Sequence, residues 1–277
     1  MIGKKKLMNK KAQVALFVII AIVIVALAIL LYILFPNIRT AIGGEPQTPQ
    51  GFLESCLKAS VDESVKVVGL QGGTLTPRNY VLHEGSQVEY LCYSNEYYRP
   101  CVMQYPVLKT EVENEIEKSV SGKVDECLNE LKSSYENRGY SVSITSKSVA
   151  GSNEVASNLV ELFPGAIIIN VDKTISLRAG EGESILLNGI QIREKNGIYD
   201  LIMIATSILN WEARYGDADS ATYMTYYPNI KVEKNTNTDG TRIYILTDRE
   251  SEIKFQFASR SIALPPLYGA DEINIQE

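Results

Sequence analysis

The chain has 277 residues, 45% apolar and 22% charged, with a net charge of −6; this is enough apolar side chain for a packed core, and it excludes disordered and collagen-like classes. Lys4, Lys5, Lys6, Lys10 and Lys11 are the only charged residues in the first 35, so 22 basic and 33 acidic residues leave the remainder near −11. Such a body makes a poor nucleic-acid partner, because phosphate contacts need clustered Lys and Arg.

Residues 14–35, "VALFVIIAIVIVALAILLYILF", carry no charge. About 20 residues of helix span a bilayer core. A cleaved secretory core is shorter, ~7–15 residues. Every face is apolar, whereas a helix at the edge of a soluble core keeps a polar side. The expectation is a single transmembrane helix over residues 13–36. The lysines flank its N-terminal end only, which places a basic leader, residues 1–12, in the cytoplasm and the bulk of the chain outside the cell membrane. The lipid bilayer is thus the first expected partner. Pro36 ends the helix, and "NIRTAIGGEPQTPQG", within a 37–51 linker, is rich in Gly, Pro and polar residues.

An ectodomain of α+β class, antiparallel sheets with packed helices, is expected from residue 52. Leu53, Leu57, Val61, Val65 and Val68 recur at helical spacing, and the glycines of "GLQGG" stop that helix. A strand-rich patch covers residues 79–104. Val112, Ile116, Val120, Val124, Leu128, Leu131 and Tyr135 mark a second helix after Pro106, with Ser121-Gly122 as a point where it could divide. Residues 52–136 read as a helix–hairpin–helix subdomain and residues 137–266 as an α+β sheet subdomain, followed by a 267–277 tail. In the second part "YSVSITSKSV" and "GAIIINVDKTISLRAGEG" read as strands. Ile185–Ile192 reads as a hairpin through Asn188-Gly189. Ile198–Trp211 reads as a core helix with Leu201, Ile204, Ala205, Ile208 and Trp211 as its repeat. Three alternating strands end the fold around Ile230, Ile243 and Phe255, the first two joined by a turn at Asp239-Gly240.

Cys56, Cys92, Cys101 and Cys127 all lie on the expected outer side, where an even count favours disulfides. Cys92 and Cys101 enclose the tip of a hairpin. Cys56 and Cys127 each sit on an apolar helix stripe. The pairing expected is 92–101 and 56–127, with free thiols and a zinc site as rivals. The zinc reading lacks any C-x-x-C and has only His83 to draw on.

Few residues suggest chemistry. His83 in "LHEGS" is a lone loop histidine, too little for a Ser-His-Asp device. "NTNTDG" begins like a calcium loop, but Leu246 stands where the bidentate Glu belongs. Asp217 and Asp219 in "YGDADS" fit a helix cap better than a cation. Glu111 and Glu115 read as a solvated face. No catalytic, cofactor or metal site is expected, nor is an enzyme. The sixteen tyrosines against six phenylalanines cluster at 90–105 and 222–227, either as packing or as a recognition surface.

"KKAQVALFVIIAIVIVALAIL" resembles the class III signal of archaeal type IV pilin-like proteins: a basic leader, Gly or Ala, Gln, then a hydrophobic helix. By that resemblance Lys10 and Lys11 end the leader, Ala12 precedes a cut and Gln13 becomes the mature N-terminus. It covers about 25 of the 277 residues. Phe17 replaces the Glu that bacterial-type pilins carry at the fifth mature position, and Pro36, Gly43, Gly44, Pro46 and Pro49 interrupt the long helix of a filament subunit. "FLESCL…GLQGG" and "DECL" resemble uncharacterised anchored surface proteins of small archaea. Three functions follow in order: an anchored extracytoplasmic structural or interaction protein, a cleaved pilin-like filament subunit, and an anchored enzyme or transport accessory subunit. Self-assembly or other surface proteins are the partners implied.

Overall fold

A computed structural model of the chain describes residues 23, 25, 48–146, 158–182 and 184–262. The chain divides into two units, Met1–Thr48 and Pro49–Glu277. Among the described residues no helix is long and apolar enough to cross a membrane. Apart from residues 23 and 25, the expected transmembrane segment, the leader with Lys10, Lys11, Ala12 and Gln13, residues 37–47 of the linker and the 267–277 tail lie outside the described residues; residues 49–51, expected in the linker, belong to the first helix.

The second unit is α+β. Helix α1, Pro49–Leu70, buries Leu53, Leu57, Val61, Val65 and Val68, the stripe its spacing predicts. Helix α2, Leu108–Glu136, buries Val112, Ile116, Val120, Val124, Leu128 and Leu131 and packs on α1. Burying each such side chain favours folding by about 1.5–3 kcal/mol. Ser121-Gly122 does not divide α2. Both residues face solvent and a Cβ on Gly122 would meet nothing, so the glycine costs only its ~1 kcal/mol of helix propensity. The apolar stripe runs past it on the other side.

Strands β1 (Tyr80–His83), β2 (Ser86–Tyr93), β3 (Val102–Met103), β8 (Ile230–Thr236), β9 (Thr241–Asp248) and β10 (Lys254–Arg260) form the first sheet. Its order is β1-β2-β10-β9-β8, with β3 also on β2. Every pair is antiparallel except β2 with β10. The second sheet holds β4 (Tyr140–Ser146), β5 (Val160–Phe163), β6 (Ala166–Ala179) and β7 (Ser184–Lys195), with β6 between β7 on one edge and β4 and β5 on the other. Helices α3, Ile198–Tyr215, and α4, Ser220–Tyr226, join the two sheets in sequence.

Three features depart from the expected arrangement. Segments 52–136 and 137–266 are not two subdomains: β2 of the first lies hydrogen-bonded beside β10 of the second, and one apolar core runs from Leu53 to Phe257. Asn188-Gly189 is not a hairpin turn. It sits inside β7, where Gly189 (φ +80°) alone opposes Asp172 and Lys173 as a bulge. The extra residue is on β6, and Gly189 faces it from β7 with a left-handed backbone that glycine adopts at no steric cost. The strand β5, which precedes β6 through a turn at Pro164-Gly165, was not foreseen.

Cys56 is bridged to Cys127, tying α1 to α2, and Cys92 to Cys101, closing the β2–β3 hairpin. These are the pairs that spacing suggests, and no described cysteine is free.

Candidate functional site

Helix α3 is amphipathic. Leu201, Ile202, Ala205, Ile208 and Leu209 are buried among the core residues. The opposite side carries Met203, Trp211 and Tyr215, which are 44%, 49% and 55% exposed. Trp211 was expected to complete the core repeat. Instead the stripe passes to Glu212, which is fully buried. A carboxylate tolerates such a place only when its oxygens are hydrogen-bonded, and here they are. Oε1 accepts from the Tyr244 hydroxyl at 2.5 Å and from the Ala218 amide at 3.2 Å. Oε2 accepts from Ser259 at 2.9 Å and from the Arg242 guanidinium at 3.0 Å. Burial raises the Tyr244 hydroxyl far above the ordinary tyrosine range, and the Glu212 charge adds to that shift.

This cluster fixes the turn after α3. Gly216 ends the helix in the left-handed region (φ +85°), its amide on the Glu212 carbonyl at 3.0 Å, a conformation that glycine adopts most readily. Arg242 also donates to the Gly216 carbonyl at 2.7 Å. Asp217 then lies between Lys234 Nζ at 2.9 Å and Arg242 Nε at 3.4 Å. Asp219 starts α4, accepting from the Ala221 amide at 3.0 Å and the Thr222 hydroxyl at 2.7 Å. The Thr222 bond, then the Ala221 one, holds the Asp219 carboxyl below its usual range. The capping role expected for Asp219 is thus realised. Asp217 is an ion-pair partner.

Between α3 and α4 opens a cleft of about 670 Å³. Ser207 and Trp211 come from α3, Asp217 and Asp219 from the turn, and Thr222, Tyr223, Tyr226 and Tyr227 from α4 and its end. Tyr223 is buried and its hydroxyl meets Ser207 at 3.1 Å; burial raises its pKa. Tyr226 and Tyr227 are 76% and 51% exposed. The Trp211 ring lies 4.5 Å from that of Tyr215. A second cleft of about 550 Å³ shares Ser207, Tyr226 and Tyr227 and extends to Met203 and Asp200, whose carboxyl is raised by burial and by Asp248. The Ser207 hydroxyl is engaged with the Tyr223 hydroxyl.

The remaining sequence candidates are dispersed. His83 ends β1 beside the Glu84-Gly85 turn, far in sequence from any partner acid of the cleft. Asp239 serves the β8–β9 turn, accepting from the Thr241 amide and hydroxyl. Glu115 is not a solvated residue: it receives the Leu75 amide at 2.8 Å, Thr74 at 3.2 Å and Lys118 at 2.6 Å. Burial pushes its pKa up, but the Leu75 and Lys118 bonds outweigh it and hold the carboxyl low. Among the tyrosines of 90–105, Tyr90 and Tyr105 serve packing, Tyr105 on the buried Glu89, while Tyr97 and Tyr98 are 61% and 72% exposed. No three described His, Cys, Asp or Glu residues converge as metal ligands.

Compared with known proteins, the chain matches no family, no curated protein and no solved structure.

Proposed function

We propose that the chain is a membrane-anchored extracytoplasmic interaction protein of the cell surface, acting through the α3–α4 cleft. The observation that carries this reading is the concentration of exposed Trp211, Tyr226 and Tyr227 around one concavity of a disulfide-bonded body. Exposed aromatic groups gathered in one place mark contact sites. They stand on a rigid support, because the buried Glu212 cluster holds the turn between their two helices. The disulfides fit an oxidising compartment outside the cytoplasm. The 22-residue apolar run at 14–35, with lysines on one side only, supplies the anchor and the orientation.

Two measurements test this. Intact cells carrying the full chain are treated with a membrane-impermeant amine reagent. Lys195, 90% exposed at its side chain, is expected to be labelled. Labelling only after lysis overturns the location. The purified chain, its apolar segment held in detergent, is then sedimented with delipidated cell-envelope material. Trp211→Ala with Tyr226→Ala is expected to abolish co-sedimentation, and equal sedimentation of wild type and variant overturns the role of the cleft. The mass of the extracted chain separates an anchored protein that keeps its leader from a pilin-like subunit that begins at Gln13.

A further inference from the structure

The interaction reading leaves the class of ligand open, and the charges in the cleft narrow it. Two carboxylates line it, which at first suggests a cation held by charge and by aromatic faces. Asp217 is paired with Lys234 and Arg242. Asp219 is held by neutral donors, the Ala221 amide and the Thr222 hydroxyl of its own helix, so its oxygens keep room to accept from hydroxyls. An anion would meet the two acids. The complementary ligand carries no negative charge and brings hydroxyl donors.

Its polarity must alternate. Trp211, Tyr226 and Tyr227 offer apolar ring faces, and the hydroxyl-bearing Ser207 and Thr222 line the same cleft. A pyranose ring has this pattern: a face of C–H groups that covers an aromatic plane and a rim of hydroxyls. At about 670 Å³ the cleft has the size of a site for a small molecule or a short oligomer. Resting on the interaction reading above, we propose that the α3–α4 cleft binds neutral glycans, with a sugar ring laid on Trp211 and Tyr226 and its hydroxyls bonded at Thr222 and Asp219. Carboxylate oxygens accept readily from several donors at once, so bonded Asp219 still has capacity for a sugar hydroxyl.

Trp211 is the only tryptophan in the chain, and so its emission reports on this cleft alone. The full chain in detergent is titrated with maltohexaose, cellohexaose, chitohexaose and mannohexaose, each to an end concentration on the order of 10 mM, a range that detects weak sites. At least one is expected to shift and saturate the emission. Tyr226→Ala, at a 76% exposed position, should weaken that ligand by about tenfold or more with no change in unfolding midpoint. Trp211→Phe, followed by calorimetry, should retain binding, because the ring platform survives. Tetramethylammonium chloride is expected to give no response. Three outcomes overturn the proposal: no hexasaccharide responds, Tyr226→Ala binds as wild type, or tetramethylammonium saturates the emission instead. If no glycan binds while envelope co-sedimentation still depends on Trp211 and Tyr226, the glycan class falls and the interaction function stands. If co-sedimentation fails as well, both fall.

Discussion

The two sheets of the Pro49–Glu277 unit are stabilised in different ways. The second sheet, β4 to β7, is wholly antiparallel with hairpins from β5 to β6 and from β6 to β7, and the side chains it buries are nearly all aliphatic: Val160, Leu162, Ile167, Ile169, Val171, Ile175, Leu177 and Ile192. The first sheet gathers strands from residues 80–103 and 230–260. It buries aromatic rings, Tyr244 stacked on Phe257 at 5.2 Å, together with the charge of Glu212 and its four donors. What an aliphatic core loses when one contact is trimmed is set by the cavity left behind and does not depend on pH. A buried charge cluster is conditional. Complete, it fixes one arrangement of helix and sheet; with one member missing, it leaves a charge unpaired in a medium of low polarity. The aromatic-lined cleft is mounted on the conditional half, where position matters more than bulk stability.

The strongest way to break this contrast is Glu212→Ala. It takes the shared acceptor from Arg242, Ser259, Tyr244 and the Ala218 amide, at an expected cost of about 3–5 kcal/mol. In hydrogen exchange the loss should appear first in β9, β10 and the 216–219 turn, with Trp211 emission shifting red. Ile169→Ala in the second sheet is the reference, with an expected cost of about 2–5 kcal/mol from cavity formation alone and no red shift. If both variants open the same amides in the same order, the two halves are one cooperative unit and the contrast fails.

Removing the bridges comes next. The Cys56–Cys127 link closes 71 residues and the Cys92–Cys101 link nine. On chain entropy the first stabilises by about 4 kcal/mol and the second by about 2.5 kcal/mol. Cys56→Ala with Cys127→Ala should therefore lower the denaturant midpoint further than the other pair. Because α1 packs on both β7 and β10, its loosening should reach both sheets. Loss confined to residues 52–136 would restore the two-subdomain division that the shared core argues against.

What the sequence disclosed and what it hid follow from range. The stripes Leu53 to Val68 and Val112 to Tyr135 are local patterns, and both helices stand where the spacing puts them. The cysteines were readable because each lies on an element with a clear face. Nothing local states that β2 lies parallel to β10, some 165 residues away; only the complete core decides it. Asn188-Gly189 misled because a left-handed glycine serves a strand position facing a bulge as well as a hairpin turn. Of the cleft, the tyrosines at 222–227 and the cap at Asp219 were visible. Glu212 was not, although a signal was present: it continues the spacing of Leu201, Ala205 and Ile208 with an acid where an apolar residue is due. An acid on an apolar stripe calls for partners, and Arg242 and Tyr244 are the alternating residues of β9 that supply them.

The smallest effect sharpens the comparison through pH. A tyrosine whose folded pKa is raised adds stability that is fully present below the unfolded value of about 10 and is lost as pH climbs above it. Burial raises Tyr244, Tyr90 and Tyr223 in this way. The first two are strands of the first sheet and the third lines the cleft. Alkaline unfolding should therefore begin on that side, above about pH 10, and should be steeper than the aliphatic half alone would give. Tyr244→Phe removes one donor to Glu212, costing about 1 kcal/mol at neutral pH, and with it the largest of these titrations. The variant should start less stable and then lose less per pH unit above 10, so its curve approaches that of wild type. Ile169→Ala should instead run parallel to wild type throughout. A Tyr244→Phe curve that stays parallel would mean that the hydroxyl beside Glu212 is not the group whose ionisation opens the first sheet.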